Sequence, residues 1–209
     1  PDLRRSIGDV MKLLRPTLIF IALLVVWQLI VILSGAPPYI LPTPDLVAKA
    51  IVEQSDGIFM HAGITLAEIL MGLALGTLLG SISALTLSYF RPARPWLMPI
   101  LVVSQAIPVF AIAPILVLWL GYGMISKVAM ATLIIYFPVT AAFYDGLQRT
   151  ELGHLDLALT MNASRWMTLK HIRIPAALPA FASGLRVATA VAPIGAIVGE
   201  WVGSSEGLG

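Results

Sequence analysis

Five stretches long enough to cross a bilayer, almost free of charge, leave this 209-residue chain few folds to adopt. A helix needs about 20 apolar residues to span the hydrocarbon core. Residues 17–34 form the cleanest run, charge-free and rich in Leu, Ile and Val. Residues 64–90 carry only Glu68, and residues 96–120, 125–144 and 176–198 complete the set, the last with Arg186 inside. Lipid offers no partner for a backbone N–H or C=O, so each run satisfies its own polar groups as a helix. The expectation is therefore an all-α polytopic membrane protein, its third and fifth spans weakened by prolines. Hydrophobic residues make up 58% of the chain and charged ones 11%, which excludes an ordinary soluble domain.

Charge placement supplies an orientation. Arg4, Arg5, Lys12 and Arg15 precede the first run, Arg91 and Arg94 separate the second from the third, and Arg149, Arg165, Lys170 and Arg173 follow the fourth. All fall on one side of the membrane. The opposite loops hold only Lys49 and Lys127 against Asp45, Glu53 and Asp56. Basic residues concentrate in cytoplasmic loops, so the amino terminus is expected on the cytoplasmic side. The first run exceeds a signal-peptide core in length, and no clear Ala-x-Ala site follows it.

Residues 1–16 read as a cytoplasmic amphipathic segment lying on the membrane surface before Pro16 opens the first span, and residues 17–209 as one membrane domain. Thr43 before Pro44 predicts a helix start, with a short helix over 44–54. Gly72, Gly76 and Gly80 recur at one-turn spacing, continued by Ser83 and Ala84, which predicts a close helix–helix contact. Pro99, Pro108 and Pro114 in the third run and Pro138 in the fourth predict kinks beside protein or a water-filled cavity.

The interval 150–175 is too long and too patterned for a mere connector. Leu155, Leu159, Trp166, Leu169 and Ile172 recur at mixed three and four spacings, with Arg165, Lys170 and Arg173 on the rim. Two short helices broken near Asn162 would present one oily face to a partner groove. Trp166 and Met161 are the candidate anchors, aromatic side chains being frequent at binding hot spots. The alternative is an interfacial helix lying on lipid headgroups.

Asp156-Leu157-Ala158, then Asn162, then Ile172 and Pro175 resembles the EAA loop of ATP-binding-cassette importer permeases. Asp stands for the family's Glu, Leu for its first Ala, and Asn for the turn Gly, a mild swap because Asn tolerates a left-handed backbone. Ala163-Ser-Arg-Trp166 and Pro175-Ala-Ala-Leu-Pro179 look like the sulfonate, nitrate, taurine and thiamine-precursor branch. The resemblance implies the transmembrane domain of an importer of the first architectural type. Asp156, Ala158, Met161, Asn162, Arg165, Trp166, Ile172 and Pro175 would form the coupling element seated in a cytoplasmic ATPase pair. It further implies a second permease copy, an extracytoplasmic solute-binding protein, and ATP with Mg held by the partner rather than by this chain. In that family Gly-Leu-Gly precedes another helix, so a sixth span is expected beyond Gly209; an odd span count is the alternative.

Candidate path residues are Arg186, Ser104, Gln105, Tyr136 and Thr140. Arg186 falls about 16 Å along the helix from Pro175 and either lines the path or has a structural role, paired or snorkelling. The four polar residues either line the path or join helices. Glu200 opens a stretch resembling the family's Glu-x-x-Gly and Gly-Leu-Gly, and reads as an outer-gate residue or an ordinary interfacial carboxylate. The chain has no cysteine, its three histidines show no ligand spacing, and no Gly-x-x-x-x-Gly-Lys loop occurs. No catalytic arrangement, metal site or nucleic-acid signal is legible. Residues 193–203 look closest to permeases for the pyrimidine precursor of thiamine, with sulfonate, taurine, nitrate or riboflavin as alternatives. A standalone secondary transporter or a membrane scaffold is the reading from another class.

Overall fold

The structure, a computed structural model, describes residues 2–90, 92, 94–106, 108–203 and 206–209, with the side chains of 2–13 and 104–106 outside the description. The chain divides into two compact units, Pro1–Ile58 and Phe59–Gly209.

In the first unit, α1 (Asp2–Ser34) runs unbroken through Pro16. The segment expected over 1–16 and the span that follows it share this one helix. At about 1.5 Å per residue the whole helix extends about 50 Å, longer than the hydrocarbon it would cross. Gly35, at φ 60°, ends it in the left-handed conformation that glycine adopts without steric cost. The indole N–H of Trp27 then donates to the Pro42 carbonyl at 3.1 Å, pinning the proline-rich segment to α1. As expected, α2 (Pro44–Glu53) starts on Pro44 with Thr43 extended at its N-cap. Hydrogen bonding to the Thr43 hydroxyl is the main cause holding the Asp45 carboxyl below its ordinary range.

The second unit is built around α6 (Met124–Gln148), whose Met130, Ala131, Ile135, Val139 and Leu147 are fully buried. Two helices reach it through small residues. On α3 (Ser55–Tyr89), Gly72, Gly76, Gly80 and Ala84 are all buried, and a methyl group added at Gly76 would lie 2.7 Å from Ile135 Cγ2. On α9 (Ile174–Gly203), Gly184, Ala188, Ala192, Gly195 and Gly199 form the matching stripe, and a methyl at Gly195 would lie 2.7 Å from the Ala131 Cα. Backbones this close gain dispersion contacts that lipid would not supply, which replaces the hydrophobic drive of a soluble core.

The third apolar run is not one continuous helix. α4 (Arg94–Ala106) stops, Pro108 is extended at φ −60° and ψ 130°, and α5 (Val109–Leu120) restarts. Proline locks its own φ and lacks an N–H to donate, so Pro108 suits the start of a new helix rather than the interior of one. Gly121 and Gly123, at φ 82° and 130°, make the tight turn into α6. Among the described residues four helical stretches are long and apolar enough to cross a membrane: Leu14–Ser34, Ser55–Tyr89, Met124–Gln148 and Arg165–Gly203.

Candidate functional site

Between α6 and α9 the chain leaves the bundle as a helix–turn–helix. α7 (Leu152–Thr160) ends in two capping bonds: Ala163 N–H donates to the Ala158 carbonyl at 2.9 Å, and Asn162 N–H to the Leu159 carbonyl at 3.0 Å. That pair requires a left-handed residue at the turn, and Asn162 provides it at φ 56°. Ser164 then caps α8 (Arg165–Thr168), its hydroxyl accepting from Met167 N–H at 3.2 Å. A π-helical turn, Leu169–Arg173, leads into α9.

The oily face expected from the spacing is split by this geometry. Leu169 turns inward to a core cluster with Leu87, Phe143 and Leu147, and Ala158 is buried as well. Leu155 and Ile172 are half-buried. Leu159 and Trp166 face outward, joined by Leu157, Met161 and Met167. The outward residues all precede the π turn at Leu169–Arg173, which shifts only the phase of α9 beyond it. The result is an element anchored by Leu169 and Ala158 that displays an apolar patch, with Met161 74% and Trp166 57% exposed. Trp166 is steadied edge-on by Tyr89, ring centroids 6.1 Å apart. Asp156, Arg165 and Pro175 are exposed beside the patch.

The path candidates separate. Arg186 points outward from α9, and among the described residues no carboxylate pairs with it. Thr140 is fully buried and its hydroxyl donates to the Tyr136 carbonyl at 2.7 Å, so it cannot line a path outside this chain. Its spacing marked the face that receives Gly80 instead. The Tyr136 hydroxyl donates to Ser83 Oγ at 2.8 Å and ties α6 to α3. The side chains of Ser104 and Gln105 lie outside the described residues.

At the opposite end of the unit sits a polar knot that the sequence reading missed. Lys127 on α6 is buried and reaches Glu68 on α3 at 2.7 Å, with side-chain exposures of 3% and 0%. The same ammonium donates to the Glu206 carbonyl at 2.9 Å. Glu200 is buried within the protein, taking the Thr65 hydroxyl at 2.5 Å and the Gly209 N–H at 2.6 Å. Leu208 N–H donates to Thr65 Oγ1 and Gly207 N–H to His61 Nδ1, both at 3.0 Å. Glu68, Lys127 and Glu200 each lie near one end of a separate apolar run, which is the available signal.

A helical bundle packed through small residues, with four stretches long and apolar enough to cross a membrane among the described residues, is the architecture of a multi-pass membrane protein. Residues 76–209 match the family described as binding-protein-dependent transport system inner membrane component. The chain belongs to that family, and is an ATP-binding-cassette permease component. It is 59% identical over 198 residues to a probable ABC transporter permease protein of Haemophilus influenzae, covering 95% of this chain and 81% of that one. It is 42% identical to the formylaminopyrimidine transport permease protein ThiX of Halalkalibacterium halodurans, covering 94% and 78%. A chain from the crystal structure of an amino acid ABC transporter with histidines superposes with a TM-score of 0.58 at 17% identity, over 72% of this chain and 75% of that one, which speaks to the fold alone.

Proposed function

We propose that this chain forms the substrate path of an importer together with a second copy, and couples it to a separate ATPase pair through residues 150–175. The observation that carries this reading is the apolar patch of Leu157, Leu159, Met161, Trp166 and Met167, held out from the bundle by a capped turn and anchored by Leu169. Apolar side chains displayed on a fixed helix pair suit a groove in another protein. Closure of the ATPase pair would draw two such elements together, and the helices that carry Pro114, Pro138, Pro179 and Pro193 inside them would convert that motion into opening at the far end.

The amino terminus is cytoplasmic on this reading and the membrane is the bacterial inner membrane. An extracytoplasmic binding protein delivers the solute, and ATP with Mg is held by the partner. The substrate is a thiamine pyrimidine precursor, supported by the 42% identity to a permease named for formylaminopyrimidine. Arg186, outward on α9, faces that path.

Trp166→Ala tests the coupling. The chain co-expressed with its genomic ATPase neighbour should lose stoichiometric co-purification and transport, while membrane insertion stays intact. Normal assembly and uptake in that variant would refute the docking role. Binding of the pyrimidine by the cognate solute-binding protein, measured by calorimetry, checks the substrate; no heat with the pyrimidine and clear binding of a sulfonate would replace it.

A further inference from the structure

Two adjoining cavities lie where α3 ends against the α8–π turn. One, of about 300 Å³, is lined by Tyr89, Leu155, Leu159 and Leu169 together with Arg165 and Thr168, and more of its surface is apolar than polar. The other, of about 350 Å³, is walled by Leu87, Arg94, Gln148 and Arg173. Ser88 and Arg173 belong to both, so an apolar arm and a cationic arm meet at one point.

The polar groups at that junction are under-used. Ser88 Oγ is buried and makes no hydrogen bond. Arg173 is half-buried, and among the described residues no carboxylate pairs with it or with Arg94. The Arg94 guanidinium is held 5.4 Å over the Tyr144 ring, which fixes its position without neutralising its charge. The ion pairs nearby in sequence, Arg149–Asp145 and His154–Glu151, are exposed and spend no carboxylate on these arginines. Guanidinium groups bind phosphate in bidentate fashion. A soluble anion would use the cationic arm and leave the apolar one empty, whereas an amphiphile fills both.

We propose that this double cavity binds an anionic phospholipid, its phosphate between Arg94 and Arg173 with a hydrogen bond from Ser88, and an acyl chain along Tyr89, Leu155 and Leu169. Basic pockets between membrane helices suit such headgroups. The cavity shares Leu159 and Arg165 with the proposed docking face, but lipid retention by the chain alone is read without an ATPase, so failure of one reading is distinguishable from failure of the other.

Native mass spectrometry of the full chain in a neutral detergent reads the site, titrating phosphatidylglycerol against phosphatidylcholine with the same acyl chains. Phosphatidylglycerol adducts should persist at about tenfold lower lipid concentration, and Arg94→Gln/Arg173→Gln should remove that preference. Arg149→Gln, which deletes an exposed charge outside the cavities, should leave it intact. Should the double variant lose its helical circular dichroism, Ser88→Leu is read instead; plugging the junction should displace the lipid from an otherwise folded chain. Equal retention of the two lipids, an equal loss in Arg149→Gln, retention unchanged in the folded variants, or displacement of the lipid by millimolar inorganic phosphate would each overturn the proposal.

Discussion

Replacing Lys127 by Met removes one partner of a buried ion pair and nothing else of comparable size. Glu68 is fully buried, its Oε1 is 2.7 Å from the ammonium, and its Oε2 has no hydrogen bond, so Lys127→Met strands a carboxylate with no counter-charge. The Glu206 carbonyl loses its 2.9 Å donor at the same time. Breaking a buried pair from one side costs about 3–5 kcal/mol, because the desolvated charge remains while its compensation is gone. By the scaling for domains of this size that corresponds to a fall of about 6–20 °C in midpoint. Thermal unfolding of the purified chain in detergent, followed by circular dichroism, measures it. The companion is Glu68→Gln/Lys127→Met, which removes both charges; it should recover about half of the loss or more, since a neutral replacement of a buried pair is often tolerated. A Lys127→Met midpoint within 2 °C of the parent would show that the pair is solvated. A double variant no better than the single one would show that the damage lies in the Glu206 contact instead.

Gly76→Ala should destabilise by about 1–3 kcal/mol in the same assay, since its methyl would meet Ile135 at 2.7 Å and the Thr132 carbonyl at 3.1 Å. Gly63→Ala, on the same helix with nothing within 4 Å, should be neutral or gain about 0.5–1 kcal/mol; equal losses at both sites would refute the packing account. At the turn between α7 and α8, Asn162→Gly should be tolerated and Asn162→Val should cost about 1–2 kcal/mol, because a β-branched residue resists φ 56°. Limited proteolysis across residues 160–164 reads that difference, and equal cleavage of the two variants would count against a left-handed turn there.

Residues close together in the chain settled much of this protein. Runs of apolar residues longer than a bilayer permit only helices, because lipid cannot satisfy a free backbone group, and Pro44, Gly35 and the Gly121–Gly123 turn mark boundaries by local backbone preference alone. The one-turn glycine spacing on α3 already marked a contact face, and Asn162 already marked a left-handed turn, since both depend on a single residue's sterics. What the sequence could not convey was which helices meet. Lys127 and Glu68 stand 59 positions apart and Thr65 and Glu200 stand 135 apart; each reads alone as a surface charge or hydroxyl until packing brings α3, α6 and α9 together. The same packing hid Thr140, and it took Leu169 into the core while leaving Leu159 and Trp166 exposed. Burial of a charge depends on what else arrives at the same point in space, and that is decided by the tertiary fold.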